Sequence, residues 1–229
     1  MNVGLIVPAA GMGHRLGHKR PKALVSLWGK PLLLHTLDRF RPMGLLSGAV
    51  ITVPPGAQSD FEALLCDVYP DGVFAIIAGG RERQESVAKA LNALDSATDI
   101  VVIHDAARPF VDEASVRASI DAAAEHGAAS VAIPCSDTIL VANRNDMLVD
   151  TPDRNRLWAC QTPQAFRVEI IKKAHQHARA EGFTGTDDAT LVQRMGEAVK
   201  LVKGTPLNFK ITTPEDVVLA EAIIDKGLV

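Results

Sequence analysis

Short apolar runs alternate along this chain with longer stretches whose apolar positions recur at helical spacing. Five of the runs are rich in β-branched residues and predict strands: Val3–Val7, Gly48–Val53, Val73–Ile77, Ile100–His104 and Ser130–Pro134. The stretches between them predict helices near Pro31–Arg41, Ser59–Cys66, Arg81–Leu94 and Asp112–Glu125. Because this alternation is typical of βαβ units, the pattern predicts an α/β fold built on a doubly wound, mostly parallel sheet.

The rhythm changes after Pro134. The apolar stretches Thr138–Val141 and Met147–Val149 are joined by a polar turn, which predicts a projecting β-hairpin arm within residues 136–160. An arm that projects from a sheet has few neighbours against which to bury its own apolar side chains. A second copy of the chain is the natural cover, so we expect a homodimer.

The chain after the arm returns to helical and strand patterns. These predict a helix near Val168–Glu181, a shorter helix after Thr186 and a strand at Val199–Val202. A final helix is expected where the hydroxyl of Thr213 can cap a helix that begins with Pro214.

The composition excludes several classes of protein. The 229 residues are 47% hydrophobic and 22% charged, which excludes a disordered chain, so residues 1–229 are expected to form a single domain that carries the arm. A net charge of −3 argues against a general nucleic-acid binder. Neither a signal-peptide pattern nor a membrane-spanning stretch is visible. Three widely spaced cysteines support neither a disulfide framework nor a zinc site, so we expect a cytoplasmic protein.

The loop after the first predicted strand combines small residues with cationic side chains. Its glycines allow backbone N–H groups to approach a ligand closely, and its cations are Arg15, Lys19, Arg20 and Lys22. Ligands of open α/β sheets bind at this edge, so a polyphosphate is the expected ligand. The chain has no Walker A motif, and the third glycine of a dinucleotide motif comes one residue late. The alternative is a glycine turn surrounded by solvated basic residues.

Two further segments follow predicted strands at the same edge. Asp105 lies in Ile103–Pro109 and could hold Mg²⁺ against phosphate oxygens, or it could instead pair with Arg108 or cap the turn. We interpret His104 as a hydrogen-bonded histidine rather than a ligand. In Ala78–Val87, two glycines and a first-turn hydroxyl could read the edge of a nucleobase, although a plain strand-to-helix turn explains them equally well.

Taken together, these segments resemble the 2-C-methyl-D-erythritol 4-phosphate cytidylyltransferase family of the non-mevalonate isoprenoid pathway. The resemblance covers nearly the whole chain. It rests on PAAGxGxR…PK at Pro8–Lys22, AGGxxRxxSV at Ala78–Val87, HDAARP at His104–Pro109, DT at Asp137–Thr138, DRNxLWxxQTPQ at Asp153–Gln164, TD at Thr186–Asp187 and NxKxTxPED at Asn208–Asp216. It implies a Rossmann-like fold of the nucleotide-diphospho-sugar transferase type. It also implies transfer of the cytidylyl group of CTP to methylerythritol phosphate, with release of pyrophosphate.

The resemblance also implies roles for individual residues. Those expected at the nucleotide are Ala9, Ala10 and Gly11 around the triphosphate, Gly79, Gly80 and Ser86 at cytosine, and Ala106 and Arg108 nearby. Those expected to act on the reacting phosphates are Arg15 and Lys22, with Asp105 binding Mg²⁺. Those expected to hold the acceptor are Thr138, Arg154, Thr186 and Lys210. In the family, the arm joins two subunits and helps complete the substrate site.

Two positions depart from the family's pattern. Arg81 and Leu207 stand where acids are common, and the missing acid at Leu207 could weaken binding of Mg²⁺ or of the acceptor. A ribitol 5-phosphate cytidylyltransferase would share much of the nucleotide site, but Asp153–Trp158 looks more like the methylerythritol enzyme. A CTP-binding regulator without turnover is less favoured, because the charge-neutralising side chains are all present. The sequence ends at Val229, soon after the last predicted helix, so we expect a single activity.

Overall fold

A seven-stranded sheet lies at the centre of a computed structural model that describes residues 1–13, 20–70, 72 and 74–229. The strands are β1 (Val3–Pro8), β2 (Ser26–Leu27), β3 (Lys30–Pro31), β4 (Ala49–Val53), β5 (Phe74–Ala78), β6 (Ile100–Ile103), β7 (Ala128–Pro134), β8 (Val141–Ala142), β9 (Leu148–Asp150), β10 (Trp158–Arg167) and β11 (Lys200–Lys203). The α-helices are α1 (Leu32–Phe40), α2 (Gln58–Val68), α3 (Arg83–Ala93), α4 (Glu113–His126), α5 (Val168–Ala180), α6 (Asp188–Arg194) and α7 (Pro214–Asp225).

The strand order of the central sheet is β11-β7-β10-β6-β1-β4-β5. Neighbouring strands are parallel except at β10, which runs antiparallel to both β6 and β7. The chain winds outward from β1 through β4 to β5 and then returns to β6 on the other side of β1. This reversal leaves a crevice at the carboxyl ends of β1 and β6, which is where α/β sheets bind ligands.

Successive residues of β1 point to opposite faces of the sheet and contribute to two cores. Leu5 and Val7 lie in a buried cluster with residues of α1, α2 and α4, including Leu37 and Phe61. Ile6 lies in a second buried cluster with residues of α3, α5 and α6. Helices therefore cover both faces, and the predicted doubly wound α/β fold is confirmed.

The predicted strands of the central sheet and the predicted helices agree with the structure to within two residues at each end that the structure describes, whereas β8 begins three residues after the start of the first apolar stretch of the arm. Val73, the predicted first residue of β5, lies outside the described residues. The last helix begins as expected: the Thr213 hydroxyl accepts from the Asp216 amide, the Asp216 carboxylate accepts from the Thr213 amide, and Pro214 opens the helix. This reciprocal pair is a capping box, which satisfies two donors at the helix start.

The sequence does not predict strand β10. Gln161, Pro163 and Gln164 interrupt the apolar pattern expected of a central strand, and proline is rare in such a position. The structure accommodates the polar side chains by hydrogen bonding. The amide of Gln164 donates to Ser130 Oγ at 3.0 Å, while its Oε1 accepts from the Asp188 backbone N–H at 3.1 Å. Tertiary partners thus create a strand that local propensity does not indicate.

The predicted hairpin arm is present, and β8 pairs with β9 in antiparallel fashion. Its apolar side chains are open to solvent, with exposed fractions of 60% for Leu140, 64% for Met147 and 59% for Leu148. The predicted boundary at residue 160 lies inside the sheet, because residues 158–160 pair with β7. We therefore use "the arm" for residues 136–157.

Two expectations from composition concern membranes and cysteines. Within the described ranges, no helix is both long and apolar enough to cross a membrane. Cys66, Cys135 and Cys160 are all free thiols.

His104 follows β6 and ties it to β10. Because a carbonyl oxygen can only accept, Nε2–H donates to the Arg108 carbonyl at 3.0 Å. Nδ1 then accepts from the Thr162 hydroxyl at 3.1 Å, and that hydroxyl oxygen accepts from the Asp105 backbone N–H. Full burial lowers the pKa of His104 from 6.5 to about 4, against the hydrogen bond to Arg108, which raises it. His104 is thus a neutral, hydrogen-bonded histidine, as the sequence analysis interpreted it.

We predict that the free energy of unfolding falls as the pH drops from about 6.5 to about 4. Over this range the unfolded chain binds a proton at His104 and the folded chain does not, so this contribution is complete above the unfolded pKa and is lost towards the folded pKa. The expected loss is about 3 kcal/mol. Urea unfolding at several pH values should show it, and His104→Gln should flatten the pH dependence. Equal slopes for the two proteins would contradict the assignment.

Candidate functional site

A cavity of about 230 Å³ opens at the carboxyl ends of β1 and β6. We call it the β1–β6 pocket. Its walls are the loop after β1 (Pro8–Met12, Lys22 and Ala23), the start of α3 (Gly80–Arg83 and Ser86), the loop after β6 (Asp105–Ala107) and Lys210. The pocket therefore unites three of the segments that the sequence analysis singled out. The residues that were expected at the nucleotide and that line it are Ala9, Ala10, Gly11, Gly80, Ser86 and Ala106.

The loop after β1 is held in place on both sides. The Ala9 backbone N–H donates to the Thr52 carbonyl at 2.7 Å, which fixes the start of the loop against β4. Further along, the Lys22 N–H donates to the Gly11 carbonyl at 3.0 Å, so Lys22 stands beside the small residues of the loop. Gly11 lines the pocket, and no atom of residues 1–13, 20–70, 72 or 74–229 beyond its immediate chain neighbours lies within 4 Å of the place where its Cβ would be. Arg15 and Lys19 lie outside the described residues, and the role expected for Arg15 stays a prediction.

The turn from β5 into α3 is closed by a serine. The Gly80 N–H donates to Ser86 Oγ at 2.9 Å, and the Ser86 hydroxyl donates to the Glu82 carbonyl at 3.1 Å. A side chain at Gly79 would come within 2.5 Å of the Ala10 Cβ, so only glycine allows the two loops to approach this closely. Gly79 does not line the pocket itself, but it lets the turn that carries Gly80 pack against the loop after β1.

Asp105 lies on the pocket wall among three cationic side chains. Its Oδ1 accepts from Arg83 Nε at 3.0 Å, its Oδ2 accepts from Lys210 Nζ at 2.8 Å, and Arg108 Nε lies 3.8 Å from Oδ2. Burial alone would raise the pKa of Asp105, but the charges of Arg83 and Lys210 outweigh it and hold that pKa well below its usual range. The carboxylate is therefore ionised at neutral pH.

The pocket is electropositive although the whole chain is acidic. Among the described residues, its walls carry four cationic side chains, Lys22, Arg81, Arg83 and Lys210, against the two acids Glu82 and Asp105. The net charge of the chain is −3. Cations concentrated in a concave site attract an anionic ligand without making the whole surface basic.

Arg83 is a residue of the site that the sequence analysis did not assign. It lines the pocket and bridges two acids, with Nε at Asp105 and Nη1 at Asp188 Oδ2, the latter at 2.6 Å. Burial lowers the pKa of Arg83, but Asp188 and Asp105 together raise it above its ordinary value. The signal that could have identified it is its fixed place in the AGGxxR motif at Ala78–Arg83.

Arg108 does not line the pocket. Its Nη1 donates to the Asn208 carbonyl at 2.7 Å and its Nη2 to the Cys160 carbonyl at 3.3 Å. Burial lowers the pKa of Arg108 in spite of the nearby Asp105, which raises it. The guanidinium thus joins β10 to the segment that carries Lys210. The expected position near the nucleotide stays a prediction.

The residues expected to hold the acceptor are not gathered in one place within this chain. Lys210 is in the pocket, whereas Thr138 and Arg154 belong to the exposed arm, where Arg154 Nη1 donates to the Ser136 carbonyl at 2.9 Å. Thr186 is exposed at the entrance to α6, next to the N-cap Asp187.

Leu207, which stands where the family commonly has an acid, packs against the small apolar cluster that includes Leu27 and Phe110. The described residues contain no group of three or more metal-ligating side chains. Asp105 offers a single carboxylate on the pocket wall. That donor set suits Mg²⁺, which typically uses one or two carboxylates together with substrate phosphates and water.

Comparison with known proteins shows which family this chain is similar to. The family model for IspD, 2-C-methyl-D-erythritol 4-phosphate cytidylyltransferase, matches residues 3–226. A protein of that name from Caldanaerobacter subterraneus subsp. tengcongensis is 44% identical over 227 residues, which cover 99% of this chain and 100% of the relative.

Solved structures give the same result. The 4-diphosphocytidyl-2C-methyl-D-erythritol synthase of Anaerococcus prevotii superimposes with a TM-score of 0.86 at 29% identity, over 98% of each chain. The 2-C-methyl-D-erythritol 4-phosphate cytidylyltransferase of Thermus thermophilus gives 0.81 at 36% identity, over 98% of this chain and 100% of its own. Since both the sequence match and the structural match extend over nearly the whole length, this chain belongs to the IspD family of 2-C-methyl-D-erythritol 4-phosphate cytidylyltransferases.

Proposed function

We propose that this protein transfers the cytidylyl group of CTP to 2-C-methyl-D-erythritol 4-phosphate, giving 4-diphosphocytidyl-2-C-methyl-D-erythritol and pyrophosphate. One observation carries the proposal: a single electropositive pocket brings an open glycine loop together with Lys22, Asp105 and Lys210. That pocket occurs in a chain whose relatives along its full length bear the name of this activity.

The nucleotide would lie between the loop after β1 and the start of α3. Backbone N–H groups around Ala10 and Gly11 suit a triphosphate, because no atom of the described residues beyond its chain neighbours lies within 4 Å of the place where a side chain at Gly11 would begin. The turn at Gly80 and Ser86 faces the same space and is the natural position for the base. Because Gly79 allows these two loops to touch, one ligand can contact both.

The reaction is a direct displacement at the α-phosphorus of CTP. An oxygen of the acceptor's phosphate attacks and forms a new P–O bond, the bond from the α-phosphorus to the bridging oxygen breaks, and that oxygen leaves with pyrophosphate. The protein need not supply a nucleophile, so its contribution is positioning and neutralisation of charge. Lys22, and Arg15 as the sequence predicts, would stabilise the charge that builds at the α-phosphorus, while Lys210 would hold the acceptor's phosphate.

Asp105 is the residue that would hold Mg²⁺. Its carboxylate lies on the pocket wall, stays ionised, and presents the hard oxygen donors that this ion prefers. A bound Mg²⁺ would supply neutralisation of the triphosphate and of the departing pyrophosphate. The ammonium of Lys210 has three N–H donors, so it can keep its contact with Asp105 while it binds a phosphate.

We further propose that the protein acts as a homodimer joined through the arm. The exposed apolar side chains of the arm need a cover, and Thr138 and Arg154 lie on the same segment. Among the described residues, neither of the two lines the β1–β6 pocket of its own chain. A second copy would cover the apolar side chains of the arm. In such a dimer, Thr138 and Arg154 of one subunit would reach the acceptor site of the other.

The compartment that we propose is a reducing cytoplasm. The free thiols Cys66, Cys135 and Cys160 are in keeping with it.

We predict that Lys22→Ala lowers the turnover number about 10²–10³-fold, because one preorganised cation at the reacting phosphate is lost. The assay is pyrophosphate release from CTP and Mg²⁺ with 2-C-methyl-D-erythritol 4-phosphate. Lys226→Ala is the matched control, since its side chain is 74% exposed on the last turn of the chain. Near-normal turnover of the Lys22 variant would show that its assigned role is wrong.

The same assay separates the competing functions. Release with methylerythritol phosphate and not with ribitol 5-phosphate supports the proposal, and the reverse result would assign the protein to ribitol phosphate. Binding of CTP without release in either case would favour a regulator.

We predict that the double substitution Leu140→Asp and Leu148→Asp converts the protein to a monomer and lowers pyrophosphate release, because both charges replace exposed apolar side chains of the arm. Sedimentation velocity and the pyrophosphate assay are the measurements. Val218→Asp is the control, an apolar residue on α7 with 68% exposure. A wild-type protein that sediments as an active monomer would contradict the dimer.

A further inference from the structure

A continuous series of polar contacts runs from Asp105, on the wall of the β1–β6 pocket, to His175 in α5. Arg83 Nε donates to Asp105 Oδ1 at 3.0 Å, Arg83 Nη1 donates to Asp188 Oδ2 at 2.6 Å, and His175 Nε2 lies 3.0 Å from Asp188 Oδ1. Because a carboxylate can only accept, the His175 ring donates to it. The exposed fractions of the Asp188 and His175 side chains are 1% and 6%.

Neither Asp188 nor His175 has a part in the proposed mechanism, and neither lines the pocket. A fully buried carboxylate is costly to keep unless its oxygens are paired. Both oxygens of Asp188 are paired, and the partners come from two different helices, α3 and α5. We infer that Asp188, fixed by His175, is a positioning residue that holds Arg83 in the orientation that aligns the Asp105 carboxylate with Lys210.

The geometry explains how this orientation is transmitted. With Nη1 fixed at Asp188, the guanidinium of Arg83 is anchored at one end and presents Nε to Oδ1 of Asp105. Oδ1 is then occupied, which leaves Oδ2 for Lys210, 2.8 Å away. Without the anchor, Arg83 could rotate about its side-chain bonds and compete with Lys210 for either oxygen.

The same contacts tie the acceptor side of the site to the nucleotide side. Asp188 follows Thr186 by two residues, and the preceding backbone is fastened to α3 by Gln84. The Gln84 amide donates to the Phe183 carbonyl at 3.1 Å, and its Oε1 accepts from the Gly185 N–H at 2.8 Å. Two consecutive residues of α3 therefore hold the segment that carries Thr186. Gln84 binds it before Thr186, and Arg83 binds it at Asp188.

This inference rests on the proposed function and predicts which kinetic constant changes. CTP would be bound mainly by the loop after β1 and the turn at Gly80, and Asp188 is not among the residues that line these walls of the pocket. Asp188→Asn keeps the shape of the side chain and removes its charge. We expect its dissociation constant for CTP to stay within about 3-fold of wild type, while kcat/KM for the acceptor falls about 10–100-fold with a raised KM. A simple loss of folded protein would lower kcat and leave KM unchanged.

A double-mutant cycle tests whether Asp188 acts through Arg83. In an Arg83→Gln background, Asp188→Asn should lower kcat/KM less than about 3-fold further, because the residue it positions is already gone. Arg194→Ala is the matched control: it removes an ion pair with Glu181 and a cation–π contact with Phe183 from the same helix, α6, and leaves Arg83 untouched. That variant should keep the wild-type KM for the acceptor.

Should Asp188→Asn not fold, the pair His175→Leu and His175→Gln replaces it. Leucine removes the donor to Asp188 and should raise the acceptor KM, whereas glutamine can still donate and should restore it. A folded Asp188→Asn protein with wild-type kcat/KM, losses that multiply in the cycle, or His175 variants that behave alike would each overturn the inference.

A second readout does not depend on turnover. In protein labelled with ¹⁵N-arginine, the Nε–H of Arg83 should exchange slowly with solvent, and Asp188→Asn should accelerate that exchange at least about 10-fold. If wild type releases no pyrophosphate with either acceptor, the proposed function fails. The exchange measurement then still decides the positioning role: acceleration supports it, and unchanged exchange overturns it.

Discussion

The geometry of the pocket depends on the charge arrangement around Asp105. One carboxylate receives Arg83 from α3 and Lys210 from the segment before α7, with Arg108 of its own loop close by. Each cation comes from a different stretch of chain, so the cluster fixes the relative position of three walls at once. Buried charges stabilise a structure only where their mutual attraction compensates for lost hydration. Removing one partner leaves the other charge buried without compensation, which typically costs about 3–5 kcal/mol of stability. Site geometry and local folding are therefore set by the same contacts.

Much of the fold could be predicted from the sequence because the βαβ half of the chain follows simple rules. β1, β4 and β6 are short apolar runs, and the last helix announces itself with Thr213 and Pro214. β10 could not be predicted in this way. Its pairing depends on partners remote in sequence. The backbone N–H of Asp188 and the hydroxyl of Ser130 form hydrogen bonds with the Gln164 side chain only after the chain has folded.

The candidate site likewise has a part that the sequence predicts and a part that it does not. The motifs identified Asp105, Lys22 and the small residues of the loop after β1, since their chemistry is visible in the letters themselves. They did not distinguish Arg108, which faces backbone carbonyls, from Arg83, which lines the pocket. Both arginines are partly buried, with 25% of the Arg83 side chain and 11% of the Arg108 side chain exposed, and they differ in the direction of the side chain. Direction is a property of tertiary packing, so sequence alone gives the set of cations and not their assignments.

Both halves of the central sheet contribute to the apolar cores, but among the described residues only the half around β10 adds a network of side-chain amides, and this difference has a consequence for divergence among relatives. Around β1 and β4 the contacts are apolar, and such cores accept exchanges among Leu, Ile and Val when total volume is kept. Around β10, Gln161 donates to the Thr205 carbonyl, and Asn208 donates to both Gln161 Oε1 and the Thr162 carbonyl. An amide in such a network has a fixed orientation, and no apolar residue of equal volume replaces it. Sequence drift should therefore be fast in the first half of the sheet and slow in the second, where the residues are polar and the reason for their persistence is architectural.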